Sequence, residues 1–359
     1  MKTSLASRGA ALRATGPVLA AIAVSAFAFT ASATEDLNVI GWCDITDPEL
    51  NGPFEEAFDV RINIKTHEDP AVAQTIIEQS APGDWDVFHT DATLVATHVE
   101  AGLLAELDPA DFPLDDIFPQ VLRRDLHFVD GKLYAVPDVF GWNTVAYNSE
   151  RVDAEDIASY DIAWNPKYEG RIAVWDFYVQ IVQNVGLAMG LAPDEITMDN
   201  LADVEARLLA MKQNVGVIGD IATIQTALAT GDADIVLGGG QWIVTGLQEE
   251  NPALDWIVPE EGGIFYLESV GIVASSEKKE LANEYVKYLI GAAGQGRFAM
   301  NSCGMAMPAN SKAELTDEER ALLRWELKDT FLEDSHINHY YDQELDMAMI
   351  DAWARFLQH

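Results

Sequence analysis

From Phe54 to Leu107 the hydrophobic pattern alternates between the period of a helix and the period of a strand. That alternation constrains the fold more than any other feature of the chain. The order is helix, strand, helix, strand, helix. Val60–Ile64 places β-branched residues on alternate positions, as a half-buried strand does. Asp86-Val-Phe is a short apolar run that stops at His89-Thr-Asp91. In an open α/β sheet, ligands sit just beyond the carboxyl ends of the strands. Thr90 and Asp91 are therefore expected beside a ligand. Trp42-Cys-Asp44, which follows the strand Leu37–Ile40, is expected next to them. No catalytic motif accompanies these residues.

The N-terminus reads as a secretion signal. Lys2, Arg8 and Arg13 precede an apolar core from Val18 to Phe29, and Ala31-Ser-Ala33 fits a cleavage site. The apolar run is too short to favour a membrane span. Residues 1–33 are read as the leader, which places the mature protein in the periplasm. Subtracting those 33 from 359 leaves 326 residues, enough for two lobes. The formal charge is −37, and loss of three cationic residues with the leader takes it to −40. Such acidity argues against nucleic acid or anionic lipid as a partner. Cys43 and Cys303 either form a bridge or remain two thiols, and spacing alone does not decide between them.

Further along, Asp130-Gly131 marks a hairpin turn inside His127–Pro137, and Asp138–Asn148 reads as one long strand. A second α/β start follows at Arg171–Trp175. Helices are expected around Ile181–Met189, Met198–Met211 and Thr223–Thr230, with a strand at Ala233–Leu237. Gly238-Gly-Gly240 lacks the spacing and the Lys-Ser/Thr of a nucleotide loop, so it is read as a strand end where backbone approaches something closely, the ligand included. Trp256–Ser276 gives two extended segments around Glu261-Gly-Gly263. Lys279–Ile290 is an amphipathic helix, Gly304–Asn310 is an extended connector, and the remainder to Leu357 reads as helical.

These residues carry a family likeness. The chain resembles the substrate-binding proteins of bacterial ABC importers, and among them the spermidine/putrescine-binding group. The matching pieces are Phe54-Glu-Glu-Ala-Phe-Asp-Val60, Asp84-Trp-Asp-Val87, Gly131-Lys-Leu-Tyr-Ala-Val-Pro137, Trp164-Asn-Pro-Lys-Tyr-Glu-Gly170, Val258–Phe265, Leu267-Glu-Ser-Val270 and Pro308-Ala-Asn310. The resemblance implies an α/β, two-lobed type II periplasmic-binding-protein fold with hinge-crossing strands. The crossings would fall near Gly141–Tyr147, Gly262–Ser269 and Ser302–Pro308. One lobe would be 34–143 with 264–301, and the other 144–263 with 302–359. The partners implied are a small nitrogenous ligand and a membrane permease. The protein itself would be a monomer, without cofactor or resident metal and without enzymatic activity.

Polyamine binders of this group hold a flexible dication between aromatic faces and fix its amines with carboxylates. A buried ammonium must be paired, and each aromatic face adds about 0.5–2 kcal/mol. Carried over by position, Trp42 matches a ligand-facing aromatic, Asp91 falls where the group has a small hydroxyl residue in the site, and Asp176 begins the acidic segment after the second-lobe strand. Phe177 and Gln180 stand where polyamine binders use carboxylates, and Gln241 stands where the group places an aspartate. These departures suit a smaller amine, a quaternary ammonium or a zwitterion. Trp142, Trp175, Trp242 and Tyr266 complete the candidate rings, each with core packing as its alternative. Asp44 and Glu268 join Asp91 and Asp176 as candidate counter-ions. Two other readings compete. His336-Ile-Asn-His339-Tyr-Tyr-Asp342 would suit an iron binder if the histidines shared a helix face. Many carboxylates would suit a secreted acid/base enzyme, but no nucleophile elbow, zinc motif or triad signature is present.

Overall fold

The computed structural model describes residues 35–248, 250–301 and 303–358, so the leader assigned to residues 1–33 lies outside the described residues. Among the described residues, eleven strands form one continuous sheet. They are β1 (Glu35–Gly41), β2 (Val60–Thr66), β3 (Val87–Asp91), β4 (Val136–Asn148), β5 (Ile172–Trp175), β6 (Val215–Gly219), β7 (Ile235–Gly239), β8 (Leu254–Ile257), β9 (Gly263–Ile272), β10 (Met307–Pro308) and β11 (Ser335–Ile337). The main path runs β2-β1-β3-β9-β4-β7-β5-β6, with β8 and β10 pairing β4 and β11 pairing β9. The expected Asp130-Gly131 hairpin is present beside it. Both turn residues have positive φ (51° and 80°), as a two-residue hairpin turn of this kind requires.

Two of these strands organise the rest. The 13-residue β4 pairs antiparallel with β9 over Val136–Asn143, then with β7 and β8 over Thr144–Asn148. β9 runs antiparallel to both β3 and β4. β1 and β3 are parallel to one another, as are β5 and β7, so each pair sends its carboxyl ends the same way.

Helices cover the sheet, and their starts are written in the sequence. Asp47 and Asp69 each accept a hydrogen bond from the backbone N–H two residues on, with a proline between, at the starts of Pro48–Phe58 and Pro70–Gln79. Asp220 caps Ile221–Thr230 by accepting from the Thr223 N–H, three residues on, and Gly231, at φ 78°, ends that helix in the left-handed region. The apolar faces meet in separate clusters. One gathers Trp175, Ile181, Val236 and Trp256, and another Leu37, Phe54, Val87, Tyr285 and Phe298.

Four expectations change. β3 does not stop at Phe88 but continues through Asp91. Thr90 therefore points away from its neighbour's side of the strand, and its hydroxyl meets His98 Nε2 at 2.8 Å. β6 was not expected: Val215-Gly-Val-Ile-Gly219 is short and interrupted by glycine, and pairing with β5 alone reveals it. The tail is not wholly helical before Gln343, because Ser335–Ile337 is a strand on β9. The backbone that Gly240 approaches is the protein's own: a Cβ there would sit 1.9 Å from the Trp142 carbonyl oxygen.

Candidate functional site

The carboxyl ends of β1, β3, β5 and β7 converge on one cavity, which is where an α/β sheet places its ligands. Trp42, Cys43 and Asp44 follow β1, and Asp91 ends β3. Trp175 ends β5 and leads to Phe177 and Gln180, while Trp242 lies just past β7. Tyr266 and Glu268 reach the cavity from β9 at positions two apart, hence from one face of that strand. The space leaves about 80 Å³ for the centres of water-sized molecules.

Three buried carboxyl groups face this space: Asp44, Asp91 and Glu268, exposed by 7 %, 4 % and 9 %. Glu268 and Asp91 are direct cross-strand partners. Asp44 and Glu268 hydrogen-bond to each other. Burial pushes the Asp44 carboxyl up to about 7; the His89 charge opposes this and the Asp138 charge adds to it. Burial also raises Asp91 to about 7, against the hydrogen bonds it accepts from Tyr340 and Asn338. Glu268 is held well above the ordinary carboxylate range by burial first, then by the charge of Asp44. No lysine, arginine or histidine is among the described residues that line the cavity. Asp44 Oδ1 and Glu268 Oε2 have no hydrogen-bond partner.

The remaining wall is aromatic and amide. Trp175 packs on Phe177 and Trp242 with ring centroids 4.8 and 5.2 Å apart. The Trp42 ring leans on His67 at 4.7 Å, and its Nε1–H has no partner. Trp242 Nε1–H donates to Asn143 Oδ1, and Asn143 Nδ2 donates to Gln180 Oε1, both at 2.9 Å.

Three anticipated site residues lie off the wall. Trp142 is fully buried, stacked on Trp256 at 5.8 Å and edge-on to Phe331, so it belongs to the core. Asp176 is exposed, and its Oδ1 accepts from Trp353 Nε1 at 2.8 Å, tying down the C-terminal helix. Gln241 stands one layer behind: its Oε1 accepts from the Trp142 N–H and its Nε2 donates to the Tyr266 hydroxyl, each at 3.0 Å. Gly141 makes room for that contact, since a Cβ there would lie 1.7 Å from Gln241 Nε2. Asn143, Ile221, Ala306 and Asn338 also line the cavity and were not anticipated. Of these, only Asn143 had a signal to follow, as a polar residue amid the apolar β4. His336 sits on strand β11 rather than on a helix, and His339 packs against Tyr341, so the two do not share a helix face.

Cys43 and Cys303 are bonded to one another, with Cα atoms 5.9 Å apart, and both line the cavity. The open choice between bridge and thiols is thereby resolved.

The sequence profile of the bacterial extracellular solute-binding proteins matches residues 50–322. The chain belongs to that family. Among relatives of this solute-binding protein is the spermidine/putrescine-binding periplasmic protein of Salmonella typhimurium, 22 % identical over 274 residues, covering 75 % of this chain and 77 % of the relative. Among solved structures, a putative spermidine/putrescine ABC transporter from Listeria monocytogenes superposes with a TM-score of 0.79 at 19 % identity, covering 90 % of this chain and 99 % of that one. A spermidine/putrescine ABC transporter substrate-binding protein from Streptococcus pneumoniae gives 0.74 at 16 % identity, with 90 % and 99 % coverage. The fold is thus the α/β, two-lobed type II periplasmic-binding-protein fold. No helix among the described residues is long and apolar enough to cross a membrane.

Proposed function

We propose that this solute-binding protein captures a small organic cation in the periplasm and delivers it to the membrane permease of an ABC importer. One observation supports the ligand class: three buried carboxyl groups face one cavity whose wall, among the described residues, holds no basic side chain. An unpaired buried charge is costly, so the empty site keeps protons that a cationic ligand would replace. The aromatic rings of Trp42, Trp175, Phe177 and Trp242 give such a cation faces to rest on. The names of the relatives, which bind spermidine or putrescine, point the same way. Capture is a binding event without chemistry on the ligand, and the lobes (34–143 with 264–301, and 144–263 with 302–359) close about β4 and β9.

Isothermal titration against amines, quaternary ammonium compounds, sugars and organic anions tests this reading. Micromolar or tighter binding of at least one organic cation is expected. Binding confined to sugars or anions would overturn it.

A further inference from the structure

The unpartnered atoms of the cavity are mainly acceptors at one end, where the Trp42 Nε1–H two residues before Asp44 is also free, and a donor at the other. On the carboxyl side, Asp44 Oδ1, Glu268 Oε2 and Asn338 Oδ1 receive no N–H or O–H from a neighbouring residue apart from the proton that Asp44 and Glu268 share. Asn338 is oriented by the hydrogen bond its amide gives Asp91, which leaves the oxygen free. On the amide side the free atom is Gln180 Nε2, a donor, in a side chain that is 98 % buried by its 2 % exposure.

The polarity of that donor is dictated rather than chosen. An indole N–H can only donate, so Trp242 fixes the oxygen of Asn143 towards itself. The Asn143 amide must then face Gln180, and the Gln180 oxygen must face Asn143. What remains to point at a ligand is the Gln180 NH2. The two ends are separated along the sheet: Asn143 pairs with Ile264 of β9, four residues before Glu268. Four residues of strand are roughly 13 Å of backbone, and Tyr266 lies between.

We infer, resting on the cation-binding reading above, that the ligand is a monocation whose far end carries an uncharged hydrogen-bond acceptor, and that Gln180 selects for it. An amino alcohol, or an amine bearing an ether or carbonyl oxygen, has this chemistry. A second ammonium at the far end would set donor against donor with no carboxylate to pair it. A carboxylate there would be buried with no cation on the wall. Gln180 is a specificity-determining residue.

A matched series tests the inference: 4-amino-1-butanol, 1,4-diaminobutane, 4-aminobutanoate and 1-butylamine, with shorter and longer homologues of each. All share one ammonium and differ in the far group. Titration calorimetry on the whole mature protein should rank an amino alcohol at least about tenfold above the diamine and the amino acid of its length, with the plain amine between. In Gln180→Glu the preference between alcohol and diamine should reverse, because Asn143 can still donate to one oxygen while the other becomes a charged acceptor. Circular dichroism of the variant confirms that it folds. A wild-type preference for the diamine or the amino acid at every length overturns the inference while leaving the cation reading intact. An unchanged ranking in folded Gln180→Glu also overturns it. If no member of the series and no other organic cation binds, the failure lies with the cation reading itself.

Discussion

Asp44 shows how a residue can harm the empty protein and serve the loaded one. Its carboxyl is raised to about 7 by burial, so the folded chain holds a proton that the unfolded chain releases near pH 4. This group's contribution to stability is therefore present below pH 4 and lost as the pH climbs to 7. His67, His98 and His127 run in the opposite sense. Burial presses each down to about 4, so their penalty is felt at low pH and fades as the pH rises towards 6.5. The two trends overlap in the wild type, and a substitution separates them. Asp44→Asn should be more stable than wild type without ligand, by an increment that grows from pH 4 to 7 and reaches a few kcal/mol, at about 1.4 kcal/mol per pH unit; urea midpoints across that range measure it. The same variant should bind an organic cation at least tenfold more weakly at pH 8, where the wild type binds more tightly than at pH 6 because fewer protons compete. Trp42→Ala should weaken binding by about 0.5–2 kcal/mol in calorimetry, with a smaller effect on an uncharged ligand. The position of Trp42 and Asp91 on the cavity wall was legible from the chain alone because both stand at strand ends, where the fold class fixes the address. Trp142 was misassigned because one alternation of β4 separates a ring in the core from Asn143 on the cavity wall.

At the scale of elements, the site depends on β4 and β9 lying side by side with almost no side chain between them at Gly141. Gly141→Ala should break the Gln241–Tyr266 contact, loosen Tyr266 and reduce ligand affinity severalfold; the ring environment of Tyr266 can be followed by near-ultraviolet circular dichroism. The Cys43–Cys303 bridge is the second such tie. The double variant Cys43→Ser/Cys303→Ser should lose about 2–4 kcal/mol in urea unfolding, and wild type in reducing agent should lose the same amount. Element type was readable wherever period and caps agreed, as in Lys279–Ile290, which the structure returns unchanged. It was unreadable where pairing decided the matter. Ser335–Ile337 and Val215–Gly219 have weak patterns of their own and are strands because β9 and β5 offer them an edge. Asn338 follows from the same cause, since only the strand beside β9 carries it to Asp91.

For the whole molecule, the long β4 divides its partners at Asn143 and Thr144, and on the proposed closure this is where the two halves would swing. Addition of a saturating organic cation should reduce the radius of gyration in small-angle X-ray scattering, and a ligand that binds without compaction would argue against closure. The fold class was legible because alternation of helix and strand, together with the spread of short matching segments, extends over most of the chain. The proposed ligand chemistry was less so, because it rests on which atoms of a few amides are left without partners, and sequence does not state hydrogen-bond polarity.

The bond between Cys43 and Cys303 also sets a schedule. It joins positions 260 residues apart, and it stitches one wall of the cavity to another. A ribosome must have released most of the polypeptide before the second sulfur exists, and thiols stay reduced in the cytosol. The bridged cavity is thus completed late, so on the proposed function a nascent chain has no finished pocket with which to sequester a ligand inside the cell that makes it.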